Sequence, residues 1–512
     1  MYIRTWVAVI RLLVIFYFVI FIKAGSADIN EKEDPSEGCT IGVAAGRATP
    51  DGRPLLWKTR DGITIDNEVY YQTVYPLDYV CVISAGVTSY SWMGVNEKGF
   101  AIINSASTDL PAGTSGMGNG SLMTYALGYC PTVAAFQHLL DSTNLSGRQT
   151  QANFGVIDST GAAAIFETAA TQYWKFDAND TIQAPDGYVL RTNFAFNGGG
   201  TGGIERYNRT CDLISDFYAG DSLNYRSLLR YQMRDFSDYY SNPFQVPYPG
   251  QILPTLPNGY IYTDVSICRN STISTAVIHG VLPAEPANLS TLWVILGQPA
   301  GAMAVPYWPV GPTPVASNGI PTAPLCDQAN LIRANLFDQP SYPNFINTYK
   351  LRNGLGAGVW ETIFPSEDSI FFATDSALQA WRLNIPTHST ILAYEENCAD
   401  YALIKLEHVY DILTTIFPEN TYPLSKNARL YQNFPNPFNP KTVIRWQIEK
   451  NDYVQLSIFN MAGQRITTLV DEKRPAGSYQ TQFDASGLAS GVYYCRLQAG
   501  NIIEMRKMIL LK

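Results

Sequence analysis

No stretch of this sequence gathers lysine and arginine into a patch. Basic residues number 35 against 44 acidic ones over 512 positions, for a net charge of −9, whereas nucleic acids and anionic membranes are held by concentrated positive charge. Neither is an expected partner. Histidine is scarce, with four residues at 138, 279, 388 and 408. The eight cysteines, at 39, 81, 130, 211, 268, 326, 398 and 495, include no Cys-x-x-Cys pair. That excludes the usual spacing of a zinc or redox site, so no metal or cofactor is expected. The spacing is also too wide for the disulfide framework of a small secreted fold.

What is present begins with a leader. Arg4 and Arg11 precede the apolar run "LLVIFYFVIFI" at 12–22, and Ala24, Gly25, Ser26 and Ala27 follow. This is the order of a secretory signal over residues 1–27. The run falls short of the ~20 apolar residues that span a bilayer, so an uncleaved anchor is the lesser reading and no stable membrane span is expected after processing. Residues 28–38, "DINEKEDPSEG", are polar, acidic and aperiodic, as a disposable propeptide would be.

From 39 to 414 the pattern is mixed. "TIGVAAGRATPDGRPLLWKTRD", "YSWMGVNEKGFAIINSAS" and "NFGVIDSTGAAAIFET" are strand pairs broken by turn signals. "SLMTYALGYCPTVAAFQHLLDST" carries apolar residues at helical spacing, and helical sequence returns near 376–414. Strand pairs followed by helices indicate α+β layers. A Pro-, Asn- and Ser-containing linker follows at 415–428. Over 429–512, short alternating runs separated by turns predict a small immunoglobulin-like β-sandwich.

Within that last unit, "YQNFPNPFNPKTVIRWQI", "IFNMAGQRITTLV", "GLASGVYYCRLQAG" and the terminal "KMILLK" resemble the C-terminal sorting domain of proteins exported by type IX secretion in Bacteroidota-related bacteria. The resemblance implies type IX secretion machinery as a partner and a secreted or cell-surface destination. A carbohydrate-binding or adhesion sandwich is the competing reading, but the unit has no clustered aromatic platform for a glycan.

The remaining signal is Cys39, directly after Gly38. Cleavage between the two would leave a thiol and a free α-amine on one residue. An α-amine has a pKa of ~7.7 to 8.0, so it can take up the thiol proton near neutral pH without a histidine.

The stretch "GCTIGVAAGRATPDGRPLLWKTRD" resembles the start of N-terminal-nucleophile (Ntn) hydrolases of the linear-amide type. These are the penicillin V acylase and bile-salt hydrolase group, and especially its isopenicillin N acyltransferase-like branch. The resemblance implies a four-layer αββα sandwich, autocatalytic cleavage between Gly38 and Cys39, and attack by Cys39 on a small N-acyl amide through a thioester. It also implies roles for neighbours. Asp61 would accept from the α-amine, and Lys58 would lower the thiol pKa. Most bile-salt hydrolases carry Arg where Lys58 stands, so Arg60 could share that role.

By the same resemblance, "GVNEKGFAIINSAS" supplies an oxyanion N–H from Asn104 and Ser105. "VLRTNFAF" supplies the Asn193 side-chain amide as a second donor, and "GIERYNR" supplies Arg206 as a structural or substrate-side arginine. "SICRNSTISTAVIHGVLP" and "LWVILGQPAGAMAVPYWP" also resemble the acyltransferase-like branch. Loops at 62–75, 108–120 and 194–204 are expected to line the pocket, with "NGGGTGG" as a mobile lid.

Each of these residues has a plainer meaning. A Gly-Cys pair can be half a disulfide, Lys58 and Asp61 a solvated surface pair, Asn193 a turn cap, and Arg206 one side of an ordinary ion pair. Three functions therefore stay open: an amidase or acyltransferase, a dipeptidase-like peptidase of the same fold, and a non-catalytic surface protein that binds ligands. A papain-like Cys-His enzyme is more remote, because "VIHGV" places His279 in an apolar strand.

Overall fold

Residues 38–319, 322–353, 356–416, 428–433, 435–448, 450–460, 464–500 and 502–511 are described by a computed structural model. The leader, residues 28–37 of the expected propeptide and most of the expected linker lie outside the described residues.

The strands run in chain order β1 (Cys39–Ala44), β2 (Leu55–Asp61), β3 (Asn67–Gln72), β4 (Tyr79–Ser84), β5 (Met93–Asn96), β6 (Ala101–Ala106), β7 (Ala152–Ile157), β8 (Ala163–Thr168), β9 (Tyr173–Asp177) and β10 (Tyr188–Arg191). Then come β11 (Tyr260–Tyr262), β12 (Thr272–His279), β13 (Thr291–Leu296), β14 (Ala304–Tyr307) and β15 (Phe345–Asn347). The principal helices of this part are α1 (Asn119–Tyr129), α2 (Val133–Ser146), α3 (Ile204–Ala219), α4 (Pro324–Leu336), α5 (Val359–Leu383) and α6 (His388–Ile416).

Two antiparallel sheets form the centre, one ordered β10-β1-β2-β12-β13-β14 and the other β3-β4-β5-β6-β7-β8-β9. They face each other, with β1 and β2 lying over β6 and β7. Helix α1 packs outside the second sheet against β5 and β6, while α3, α4, α5 and α6 pack on the first sheet at β10, β13 and β14. This is an α+β, four-layer αββα sandwich.

Its logic is visible in β4, "YVCVIS", which has no polar face. Val80 and Val82 enter the core between the sheets beside Ile41, Val43 and Ile103. Tyr79, Cys81 and Ile83 turn the other way, to Leu122 of α1 and Phe136 and Leu140 of α2. A strand covered on both faces reads as a continuous apolar run. The expected pocket loop at 62–75 is partly a strand, since β3 occupies 67–72 of it.

The C-terminal unit is built differently. Strands β16 (Ala428–Leu430), β17 (Lys441–Ile448), β18 (Asp452–Asn460), β19 (Arg465–Arg474), β20 (Gly477–Asp484), β21 (Gly491–Ala499) and β22 (Ile502–Leu510) make two sheets, β16-β17-β20 and β19-β18-β21-β22. In β21 only alternate residues, Tyr493, Cys495, Leu497 and Ala499, reach the core, the pattern of a sheet with one covered face. The result is a small β-sandwich. It touches the first part through Arg506, whose guanidinium lies 3.4 Å from Asp327 of α4. All eight cysteines are thiols.

Candidate active site

Hairpin β1–β2 sets the site. Its register places Cys39 opposite Arg60 and Ile41 opposite Lys58, so these four side chains share the face turned to the second sheet. Cys39 itself is buried.

The main chain of Cys39 is held from two elements. Its N–H donates to Asn193 Oδ1 at 2.8 Å. Arg206, in the first turn of α3, donates from Nη1 to the Cys39 carbonyl at 2.6 Å and to Thr40 Oγ1 at 3.0 Å. Its Nη2 donates to Asn193 Oδ1 at 2.8 Å, tying the two partners together. Burial first, and then the like charge of Arg269, push the Arg206 pKa down to about 10, against the opposing pull of Asp61 and Cys39.

On the other side of the same peptide bond, Asp61 N–H donates to the Gly38 carbonyl at 3.1 Å. The Asp61 carboxylate accepts from Thr272 Oγ1 at 2.6 Å and from Arg269 through Nε at 3.0 Å and through Nη2. Burial works against the charge on Arg269, yet Asp61 outweighs it and raises the arginine's pKa. A Cβ on Gly38 would lie 1.7 Å from Arg269 Nη2 and 2.9 Å from Asp61 Oδ2. Any side chain before Cys39 must therefore displace the guanidinium from its carboxylate.

Cys39, Asp61, Asn193 and Arg206 are thus gathered around one bond, while the other expected residues stand further back. Lys58 Nζ donates to Asn104 Oδ1 at 2.6 Å and to the Trp92 carbonyl at 3.2 Å. Arg60 stacks on the Trp92 ring, 4.2 Å from its centroid. Ser105 Oγ donates to the Thr192 carbonyl at 2.6 Å, bracing the end of β10. The pairing of β5 with β6 reaches only Met93 opposite Ile103, so among the described residues the Asn104 backbone on that side has no strand partner, while Ser105 pairs with Asn153 of β7. Asn193 differs in detail from its expected donor role: Oδ1 accepts from Cys39 and Arg206, and Nδ2 donates to the Ala106 carbonyl at 3.1 Å.

Sequence reasoning missed Arg269. It sits in a quoted segment, but nothing local marks it; its meaning comes from β12 pairing with β2, which sets Thr272 opposite Asp61. Burial pushes the thiol of the adjacent Cys268 up to about 12, and a protonated buried thiol is inert. His279 lies at the far end of β12, opposite Leu55, with Nε2 2.8 Å from Asp51 Oδ2.

Among the described residues no group of three or more His, Cys, Asp or Glu could hold a metal ion. No described helix is long and apolar enough to cross a membrane.

Residues 432–511 match the secretion system C-terminal sorting domain family. The C-terminal unit is a sorting domain. Such a domain directs its chain through type IX secretion to the cell surface or beyond it. The sorting domain leaves the αββα part to be compared by structure. A mutant of conjugated bile acid hydrolase from Clostridium perfringens is similar at 11% identity, over 50% of this chain and 89% of that one, with a TM-score of 0.32. Penicillin V acylase from Agrobacterium tumefaciens is similar at 14% identity, over 53% of this chain and 85% of that one, with a TM-score of 0.32. No curated protein sequence matches the chain.

Proposed function

We propose that this chain is a secreted cysteine amidohydrolase or acyltransferase, whose nucleophile is Cys39 after cleavage of the Gly38–Cys39 bond. The observation that carries the reading is the grip on the main chain of Cys39. Asn193 holds its nitrogen, Arg206 its carbonyl, and Asp61 N–H the carbonyl of Gly38. Buried backbone groups almost always find partners, but here they are an amide and a guanidinium side chain aimed at one residue.

In self-cleavage, Cys39 Sγ attacks the Gly38 carbonyl carbon, and Asp61 N–H stabilises the oxygen as it becomes an oxyanion. The C–N bond breaks, the thiol proton passes to the departing nitrogen, and a thioester joins Gly38 to Cys39. Water hydrolyses that thioester to a Gly38 carboxylate and a free Cys39 bearing both thiol and amine.

In turnover the Cys39 amine, oriented by Asn193, accepts the thiol proton. The guanidinium charges of Arg206 and Arg269 favour the thiolate, which attacks the carbonyl of a small linear N-acyl amide. The α-ammonium returns the proton to the leaving amine. Water, or an acceptor amine, then resolves the acyl thioester. Lys58, held on Asn104, adds positive charge behind the thiol, and the Asn104 N–H, beyond the pairing of β5 with β6, is available to the substrate oxyanion.

Intact mass and N-terminal sequencing of the exported protein test the reading. A chain beginning at Cys39, able to hydrolyse a chromogenic N-acyl amide, is the expected result. A chain with Cys39 still internal overturns it and favours the non-catalytic binding reading.

A further inference from the structure

Asn193 and Arg206, which hold the two ends of the Cys39 main-chain unit, are joined by a single loop. That loop folds back on its own start: Asn193 N–H donates to the Gly202 carbonyl at 3.1 Å, and Thr192 Oγ1 donates to the same oxygen at 3.0 Å. The segment expected to be a mobile lid is fastened at its middle as well.

Asp109 Oδ2 accepts from Ala195 N–H at 3.1 Å and from Gly200 N–H at 2.9 Å. Oδ1 accepts from Ser107 Oγ at 2.6 Å, which fixes the carboxylate's orientation. A Cβ on Gly198 would fall 2.3 Å from Asp109 Oδ2, and one on Gly200 would fall 2.9 Å from it. The glycines are there so that backbone can close on a carboxylate. Three residues before Asp109, the Ala106 carbonyl accepts from Asn193 Nδ2, so one short stretch from the last residue of β6 onward holds both the loop and the asparagine.

We infer that Asp109 is a positioning residue for the Cys39 site, latching the loop at 194–203 so that Asn193 and Arg206 stay aimed at Cys39. The inference rests on the proposed Ntn reading. Glu167 accepts from Phe196 N–H at 2.8 Å and Asn197 N–H at 3.0 Å on the other flank. It also pairs with the buried Arg191 at 2.7 Å, so its removal would disturb the core. Asp109 has the cleaner role. Phe194 and Ala195, at the start of the loop, are buried, whereas 197–203 consist only of Asn, Gly and Thr, so releasing that polar part uncovers little apolar surface. A misplacement of about 1 Å at a catalytic group can cost on the order of 100-fold in rate.

The test compares the full chain with Asp109→Ala, Asp109→Asn and Gly200→Ala, the last pushing on the carboxylate from the loop side. Cleavage at Gly38–Cys39 is followed by intact mass, Cys39 alkylation by iodoacetamide is mapped by peptide mass spectrometry from pH 6 to 10, and melting is recorded. Asp109→Ala should slow cleavage about 10- to 100-fold and shift the alkylation profile of Cys39 to higher pH, with melting little changed. Asp109→Asn, which keeps an acceptor, should recover part of both.

Wild-type cleavage and an unshifted alkylation profile in Asp109→Ala would overturn the inference. If the unmutated chain is never cleaved, the Ntn reading fails instead. In that case hydrogen exchange over 195–203 judges the latch alone, and unchanged protection in Asp109→Ala overturns it.

Discussion

The two ends of β12 carry polar clusters that look alike as residue lists. At the first, Asp61 is bonded by Arg269 and Thr272. At the second, some seven residues and about 20 Å away at ~3.3 Å per residue, Asp51 is bonded by His279 and Arg53. Their surroundings separate them. The Asp61 side chain is 1% exposed and that of Asp51 40%, so charge at the first end acts through protein and at the second partly through water. The first end adjoins the Gly38–Cys39 peptide bond, whereas His279 stacks on Tyr225, which in turn stacks on Trp293. An acid–base pair is a candidate for catalysis only where a breakable bond lies beside it.

The comparison is broken most severely at the bond itself. Cys39→Ala should leave the chain uncut between Gly38 and residue 39 and abolish amide turnover. Gly38→Val should also block cleavage with the thiol intact, because its side chain must evict Arg269 from Asp61. Intact mass reads both.

Next in size is Asp61→Asn, which removes the charge holding Arg269. Cleavage and turnover should fall by roughly 100- to 1,000-fold, the scale of losing a preorganised electrostatic partner, as single-turnover rates would register. At the opposite end, His279→Ala should cost about 0.5 to 1.5 kcal/mol of stability, the net range for one hydrogen bond, and leave cleavage untouched. Loss of cleavage in a well-folded His279→Ala would restore the Cys-His alternative.

The smallest effect concerns another buried carboxylate, Glu395 of α6. One oxygen accepts from Trp308 N–H at 2.7 Å, and the other has no hydrogen-bond partner among the described residues. Burial holds its pKa well above the ordinary range. Between the unfolded and folded pKa values the folded chain keeps a proton that the unfolded chain has lost, so this group's contribution to stability declines as pH rises. Glu395→Gln should flatten that decline, read as urea midpoints at pH 5 and pH 8, without altering cleavage.

How much was legible in advance follows from how local each signal is. The β-sandwich of the C-terminal unit announced itself through turns and alternating strands, because a sheet with one covered face writes its pattern into the chain, whereas its reading as a sorting domain came from the resemblance of its motifs to that family. Layering of the first part was legible as strand pairs followed by helices, and Cys39, Asp61, Asn193 and Arg206 stood in quotable motifs. Arg269 did not. Nor did the role of Asp109, which looks like an ordinary loop aspartate until Gly198 and Gly200 close on it.

By itself, then, the sequence determined that there are two kinds of unit, that a cysteine follows a glycine where a free amine could be made, and that no metal-ligand spacing or basic patch is present. These depend on neighbours a few residues apart, where period and composition act directly. Tertiary structure alone decided which charges meet that cysteine. Asp61 and Arg269 are brought together by the pairing of β2 with β12, and Asn193 and Arg206 by a loop fastened on Asp109. Such contacts are selected by the packing of whole sheets, and no local pattern encodes a partner two hundred residues away.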